Sequence, residues 1–172
     1  MITRPRRFGK TLTMSMVEQF FSIDYAGRSD LFEHLAIWKE EKYRELQGTY
    51  PVISLSFARI KERDYEKTKQ KMCEVLRNIY IKFCYIKDSE KLTDADRAYY
   101  ERMLEENIKE TDATSSLYQL SDFLYRYYGK KVIILLDEYD TPMQEAFVDG
   151  YWDELVAFTR SLFNSCLLYT SP

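Results

Sequence analysis

Five consecutive apolar residues, Val132-Ile133-Ile134-Leu135-Leu136, end in the two carboxylates Asp137 and Glu138. An uninterrupted run of this length, rich in Val and Ile, predicts a strand buried on both faces. A second strand is predicted over residues 50–57, where Pro51 marks the start and Val52-Ile53-Ser54-Leu55-Ser56-Phe57 mixes apolar residues with small hydroxyls. Helical spacing fills most of the rest. Leu12, Met16, Val17, Phe20 and Phe21 predict a first helix, and residues 22–27 a turn. Asp30 reads as the cap of a short helix over residues 30–35. The charged run from Arg59 opens a long helix whose apolar stripe is Tyr65, Met72, Cys73, Leu76, Ile79, Tyr80, Phe83 and Cys84.

Thr93-Asp94-Ala95-Asp96 is a capping-box-like start for a further helix to about residue 109, with Tyr100, Met103, Leu104 and Ile108 buried. Residues 111–116 read as a polar break. Leu117, Leu120, Leu124, Tyr127 and Tyr128 then make another helix, stopped by Gly129. Thr141-Pro142 is expected to turn the chain away from the second strand. A last helix over residues 152–163 is expected to bury Trp152, Leu155, Val156 and Phe163. Strands separated by helices indicate an α/β fold with a parallel sheet.

The candidate chemistry sits at two places in this pattern. Near the N-terminus, Arg4-Pro5-Arg6-Arg7-Phe8-Gly9-Lys10-Thr11 runs straight into the first helix. A phosphate-binding (Walker A) loop needs a glycine for close backbone approach, a lysine that reaches the β- and γ-phosphates, and a hydroxyl for Mg²⁺. The helix N-terminus adds unpaired N–H groups and partial positive charge. In the general pattern G-x-x-x-x-G-K-[ST] the first glycine falls on position 4, where this chain has Arg4. By itself the stretch also describes a basic tail leading into a helix.

The second place is the end of the Asp137-Glu138 strand, the edge at which open α/β sheets bind ligands. An aspartate there (Walker B) can hold nucleotide-bound Mg²⁺ and a following glutamate can polarise the attacking water. Alone, the same residues describe a core strand followed by a solvated acidic turn. The two stretches together favour an α/β P-loop NTPase, of the additional-strand, catalytic-glutamate type. In that reading Gly9 and the backbone from Phe8 to Leu12 wrap the phosphates and Lys10 neutralises their charge. Thr11 and Asp137 hold Mg²⁺, and Glu138 is the base or water-positioning residue. Arg7, like Arg6, is open between a phosphate contact, a contact to a neighbouring domain and a solvated side chain.

Arg-Pro-Arg-Arg-Phe-Gly-Lys-Thr with Leu-Leu-Asp-Glu-Tyr-Asp-Thr-Pro resembles the bacterial AAA-ATPase-like proteins. That family carries Arg-Pro-Arg-Arg in place of the first glycine, so Arg4 departs from the general loop and not from the family. The resemblance spans residue 2 to about residue 164. It implies ATP and Mg²⁺ as ligands, an ATP hydrolase, and in many members a following PD-(D/E)XK nuclease-like domain. It also implies a further strand, bearing a polar sensor residue, between the phosphate-loop strand and the Asp137 strand. Residues 165–172 do not continue the family pattern and read as a non-native tail. Only three residues precede the loop, so residues 1–164 read as a partial P-loop domain. The fragment by itself is expected to be inactive, with an unpaired apolar edge along the Asp137 strand. Two other readings stay open: a nucleotide-gated switch with little turnover, and a non-binding interaction module with a decayed loop.

Composition narrows the classes further. At 172 residues, 45% hydrophobic and 31% charged, the chain has the make-up of one globular domain. A net charge of −3 does not indicate a broad nucleic-acid surface, and the basic cluster at residues 4–10 suits a triphosphate better than a duplex. Cys73, Cys84 and Cys166 include no Cys-x-x-Cys pair, and the single histidine, His34, reads as a surface residue, so neither a zinc site nor a disulfide framework is expected. Cys73 and Cys84 are expected as buried free thiols on one helix face. No apolar run reaches about 18 residues, so no membrane span is expected, and Glu18 interrupts any signal-peptide core. The cytoplasm is the default location.

Overall fold

The two predicted strands lie side by side in the computed structural model, which describes residues 9–167 and the side chains of residues 9–164. Helix α1 (Lys10–Phe21) leads through short 3₁₀ turns and the one-turn α2 (Glu41–Arg44) into β1 (Val52–Ser56). Then come α3 (Tyr65–Lys82), α4 (Asp94–Leu104) and α5 (Glu110–Tyr128), followed by β2 (Ile133–Asp137), α6 (Asp140–Asp149) and α7 (Trp152–Leu167). β1 and β2 pair in parallel, with Val52 opposite Ile133 and Ser56 opposite Asp137. Parallel neighbours need a long crossover, and here α3, α4 and α5 supply it.

The period of two along a strand divides this small sheet into unlike faces. Ile53 and Leu55, with Ile134 and Leu136 of β2 beside them, look onto the core formed with α3, α4, α5 and α7. The other face carries Ser54 and Ser56 beside Leu135 and Asp137, and α1 packs there against both strands. This register puts Asp137 under the start of α1. The C-terminal end of α1 is tied to the approach of β1: Tyr50 N–H donates to Phe21 O (2.9 Å) and Ile23 N–H to Tyr50 O (2.9 Å).

Buried tyrosines hold the helices in register. The Tyr80 hydroxyl donates to Ser116 O and that of Tyr100 to Tyr80 O, both at 2.7 Å. Each phenol therefore buries a large ring while satisfying a backbone acceptor.

Several expectations are corrected. All five residues of β2 are half-buried rather than buried on both faces. β1 takes one edge, and among the described residues no strand takes the other. Along α1 only Phe20 is buried, while Leu12 and Met16 are exposed, because the narrow sheet covers little of the helix. Asp30 caps no helix; its carboxylate is forked by Arg28 (2.9 and 3.0 Å) and only a 3₁₀ turn forms at Ser29–Leu31. The long helix starts at Tyr65, not near Arg59, because Asp64 accepts from Lys67 N–H at 2.9 Å and caps it.

α4 ends at Leu104, and the supposed break at residues 111–116 is the first part of α5. Its hydroxyls turn back onto the helix, Ser116 donating to Ala113 O (2.7 Å) and Ser115 to Thr111 O (3.2 Å). Pro142 does not turn the chain away but lies in the first turn of α6, where a missing N–H is harmless. Cys73 is buried, whereas Cys84 is exposed in a 3₁₀ turn beyond α3. Trp152 is 41% exposed and meets the exposed Phe147 edge-on, and Val156 and Phe163 are half-buried; α7 buries Leu155, as expected, with Phe158 and Leu162. His34 is exposed as expected. The phosphate-loop strand and the first part of the loop would fall in residues 1–8, outside the described residues. The distinction drawn at residue 165 falls where side chains are not described, although the backbone of α7 continues to Leu167.

Candidate nucleotide site

Gly9 begins the site as the N-cap of α1, in the left-handed region at φ 74° and ψ 24°. A glycine adopts this conformation without the steric penalty of a Cβ. The Gly9 carbonyl then accepts from Thr13 N–H (2.9 Å) and from the Thr13 hydroxyl (3.0 Å), fixing the first turn. This leaves the first backbone N–H groups of α1 without intrahelical acceptors, as at any helix start. Lys10 follows, half-buried, with no carboxylate within ion-pair distance among the described residues.

Thr11 and Asp137 are 126 positions apart in sequence, and the Thr11 hydroxyl donates to Asp137 Oδ2 at 2.9 Å. The contact follows from the parallel register, which sets Asp137 at the end of β2 on the face that α1 covers. Glu138 comes next with φ 51°, the one positive φ at a non-glycine residue among the described residues. Such a conformation costs of order 1–3 kcal/mol and is concentrated at functional sites. Thr141 holds the turn: its N–H donates to Glu138 O (3.1 Å), and its hydroxyl makes a longer 3.4 Å contact to Glu138 Oε2.

A cavity of about 670 Å³ opens between three segments of chain. The start of α1 contributes Gly9, Lys10, Thr11 and Leu12; the segment after β1 contributes Ala58 and Lys61; the segment after β2 contributes Glu138, Thr141, Gln144 and Glu145. A smaller recess of about 250 Å³ shares Thr11 and is lined by Asp137, Ser15, Glu18, Ser54 and Ser56 among others. Adjacent Asp137 and Glu138 thus face different recesses that meet at Thr11.

Of the residues singled out in the sequence, Gly9, Lys10, Thr11, Leu12 and Glu138 line one cavity, and Asp137 joins them through Thr11. Leu12 is 66% exposed, so its side chain contributes little enclosure. Arg7 and Phe8, with Arg4 and Arg6, lie outside the described residues. Lys61, Thr141, Gln144 and Glu145 were not anticipated. Lys61 was assigned to a helix, and Thr141 to a turn leading away from the site. Their position just beyond the carboxyl ends of parallel strands is the signal that could have found them. Gln144 is turned partly toward Asp140, donating to its Oδ2 at 3.1 Å.

The site offers two ammonium groups, a helix N-terminus, and a hydroxyl–carboxylate pair of the oxygen-donor type suited to a hard divalent cation. Its volume lies within the range of small-molecule pockets. Among the described residues no helix is long and apolar enough to cross a membrane. Neither a curated protein nor a solved structure matches the chain. A family model described as Predicted AAA-ATPase matches residues 1–171, across both the Gly-Lys-Thr and the Asp-Glu stretches, and the chain belongs to this AAA-ATPase-like family.

Proposed function

We propose that this chain carries the nucleotide site of a P-loop ATPase, which binds Mg-ATP and hydrolyses it to ADP and phosphate. The observation that carries the reading is the 2.9 Å hydrogen bond from Thr11 to Asp137. Two residues selected independently, one for a metal-ligating hydroxyl and one for a metal-holding carboxylate, meet in space. The residues present suit Mg-ATP: a left-handed glycine opening a helix, Lys10 free of carboxylate partners among the described residues, and a cavity of adequate size.

In this reading Gly9 and the backbone from Phe8 to Leu12 wrap the phosphates, with Arg7 a further candidate beside them. Lys10 balances phosphate charge, while Thr11 and Asp137 orient the cation. Bound Mg-ATP would supply the transferable phosphoryl group and the cation. Glu138, held at its strained φ and braced by Thr141, would orient a water molecule and accept its proton. A nuclease-like domain in the same protein belongs to this proposal.

The test uses protein from the complete reading frame. Calorimetry should show Mg-ATP binding that Lys10→Ala weakens roughly ten- to a hundredfold, from the loss of a charge-assisted contact. Glu138→Gln should retain nucleotide and lose turnover by roughly 10²- to 10⁴-fold. Equal affinity in wild type and Lys10→Ala would refute the phosphate-loop reading. Unchanged turnover in Glu138→Gln would reduce that carboxylate to a turn residue and favour a nucleotide-gated switch.

A further inference from the structure

Lys61 lies on the segment that follows β1, and it lines the same cavity as Gly9, Lys10 and Glu138. Its side chain is exposed, and among the described residues its ammonium has neither a hydrogen bond nor an ion pair. Glu138 and Glu145 line the cavity too, yet neither comes within ion-pair distance of it. A surface lysine of this kind is ordinarily a mobile solvated group. The backbone that carries Lys61 is held on both sides.

Before it, Phe57 N–H donates to Asp137 O (3.1 Å), which continues the pairing with β2 beyond the strand end. Ile60 is buried at 3% exposure, and its N–H donates to Phe57 O (3.0 Å). After it, the carbonyl of Glu62 accepts from the Tyr151 hydroxyl at 2.5 Å, and that hydroxyl is in turn bonded to the buried Thr68. The segment is thus anchored to β2, to the core and to the start of α7. An uncompensated cation whose backbone is fixed at a cavity wall is kept within reach of an anion bound there.

We propose that Lys61 is a second phosphate-binding residue, contacting the terminal phosphate of a nucleoside triphosphate and so distinguishing triphosphate from diphosphate. The inference rests on the nucleotide reading above. Lys10 belongs to the helix start and reaches the β-phosphate, which diphosphate and triphosphate both carry. Lys61 comes from a separate segment of chain and shares the cavity with Glu138, the residue assigned to the reacting end of the nucleotide. Its charge therefore falls where the anion gains charge on going from diphosphate to triphosphate.

The test measures equilibrium affinities of Mg-ADP and of a non-hydrolysable Mg-ATP analogue. The proteins are wild type, Lys61→Met, Lys61→Arg and Lys10→Ala, made in the complete reading frame, each with its far-UV spectrum and melting temperature checked. Lys61→Met is expected to weaken the triphosphate analogue roughly ten- to a hundredfold and to leave ADP within about twofold. Lys61→Arg, which keeps the charge, should restore most of the difference, and Lys10→Ala should weaken both ligands. Unchanged affinities in Lys61→Met, or an equal loss for ADP and the analogue, would overturn the proposal while leaving the nucleotide site intact. Failure of the wild-type protein to bind either nucleotide would overturn the nucleotide reading itself.

Discussion

Replacing Tyr151 by Phe removes one oxygen atom from a chain of hydrogen bonds whose direction can be worked out. The Tyr151 hydroxyl donates to Glu62 O at 2.5 Å, so its single proton is committed. The 3.0 Å bond to Thr68 must then run from the Thr68 hydroxyl to the Tyr151 oxygen. Tyr151 is 6% exposed and Thr68 fully buried. Phenylalanine keeps the ring and leaves no cavity of consequence, so the cost is almost wholly polar. Thr68 can turn to a carbonyl one helical turn back. Glu62 O, half-shielded, loses its donor. Two lost bonds, one of them replaced, give a destabilisation of about 2 kcal/mol. For a chain of this size that is a melting-temperature drop of roughly 4–8 °C. Urea unfolding followed by far-UV circular dichroism should show a lower midpoint with an unchanged slope. A midpoint shift equivalent to less than about 0.5 kcal/mol would refute the claim that this hydroxyl anchors the Lys61 segment, since ordinary surface substitutions fall in that range.

Gly48→Ala should destabilise by roughly 2–4 kcal/mol in the same assay, because a Cβ there would lie 2.5 Å from Ala26 Cα and the residue sits at φ 66°. Thr93→Ala should cost about 1 kcal/mol, since the Thr93 hydroxyl accepts from Asp96 N–H (3.2 Å) in a capping box. Glu138→Gly should be more stable than Glu138→Ala by about 1 kcal/mol, as both lose the carboxylate and only glycine relieves the positive φ; equal melting temperatures would show that no strain is stored there. Burial pushes the Cys73 thiol from its ordinary 9.0 up to about 11, and raises the Tyr80 and Tyr100 phenols as well. The folded chain holds these protons more tightly than the unfolded one, so stability is full below pH 9 and falls as pH rises from there towards 11. A urea midpoint that stays flat from pH 8 to pH 11 would contradict this.

The features most legible in the sequence are those governed by local chemistry. The capping box at Thr93 and the glycine stop at Gly129, with φ 66°, lie where side-chain and backbone rules put them. Gly9-Lys10-Thr11 and Asp137, singled out by residue type and spacing, are brought together by the fold. What was misread depends on neighbours distant in sequence. The apolar run of β2 predicts burial, but burial needs strands and helices on every side, and β2 has β1 on a single edge among the described residues. The hydroxyls at the start of α5 resemble a break until their bonds back to the helix are seen. Asp112 there is also forked by Arg102 of α4 at 3.0 and 3.1 Å, a contact that spacing does not announce. Pro142 is compatible with a helix start or a turn, and only the chain around it decides. Lys61 falls inside the long helix when that helix is begun at the charged run from Arg59; Asp64, the true cap, frees the preceding segment to reach the cavity.

The central claim is that Thr11 and Asp137 together hold the cation of a bound nucleotide. The most direct measurement is the gain in ATP affinity on adding Mg²⁺, determined for wild type, Thr11→Ala, Asp137→Asn and the double variant. The account predicts a clear gain in wild type, most of it lost in either single variant, and a double variant little worse than either, because the two side chains act on one ion. A wild-type affinity indifferent to Mg²⁺, or single-variant losses that simply add in the double variant, would contradict it.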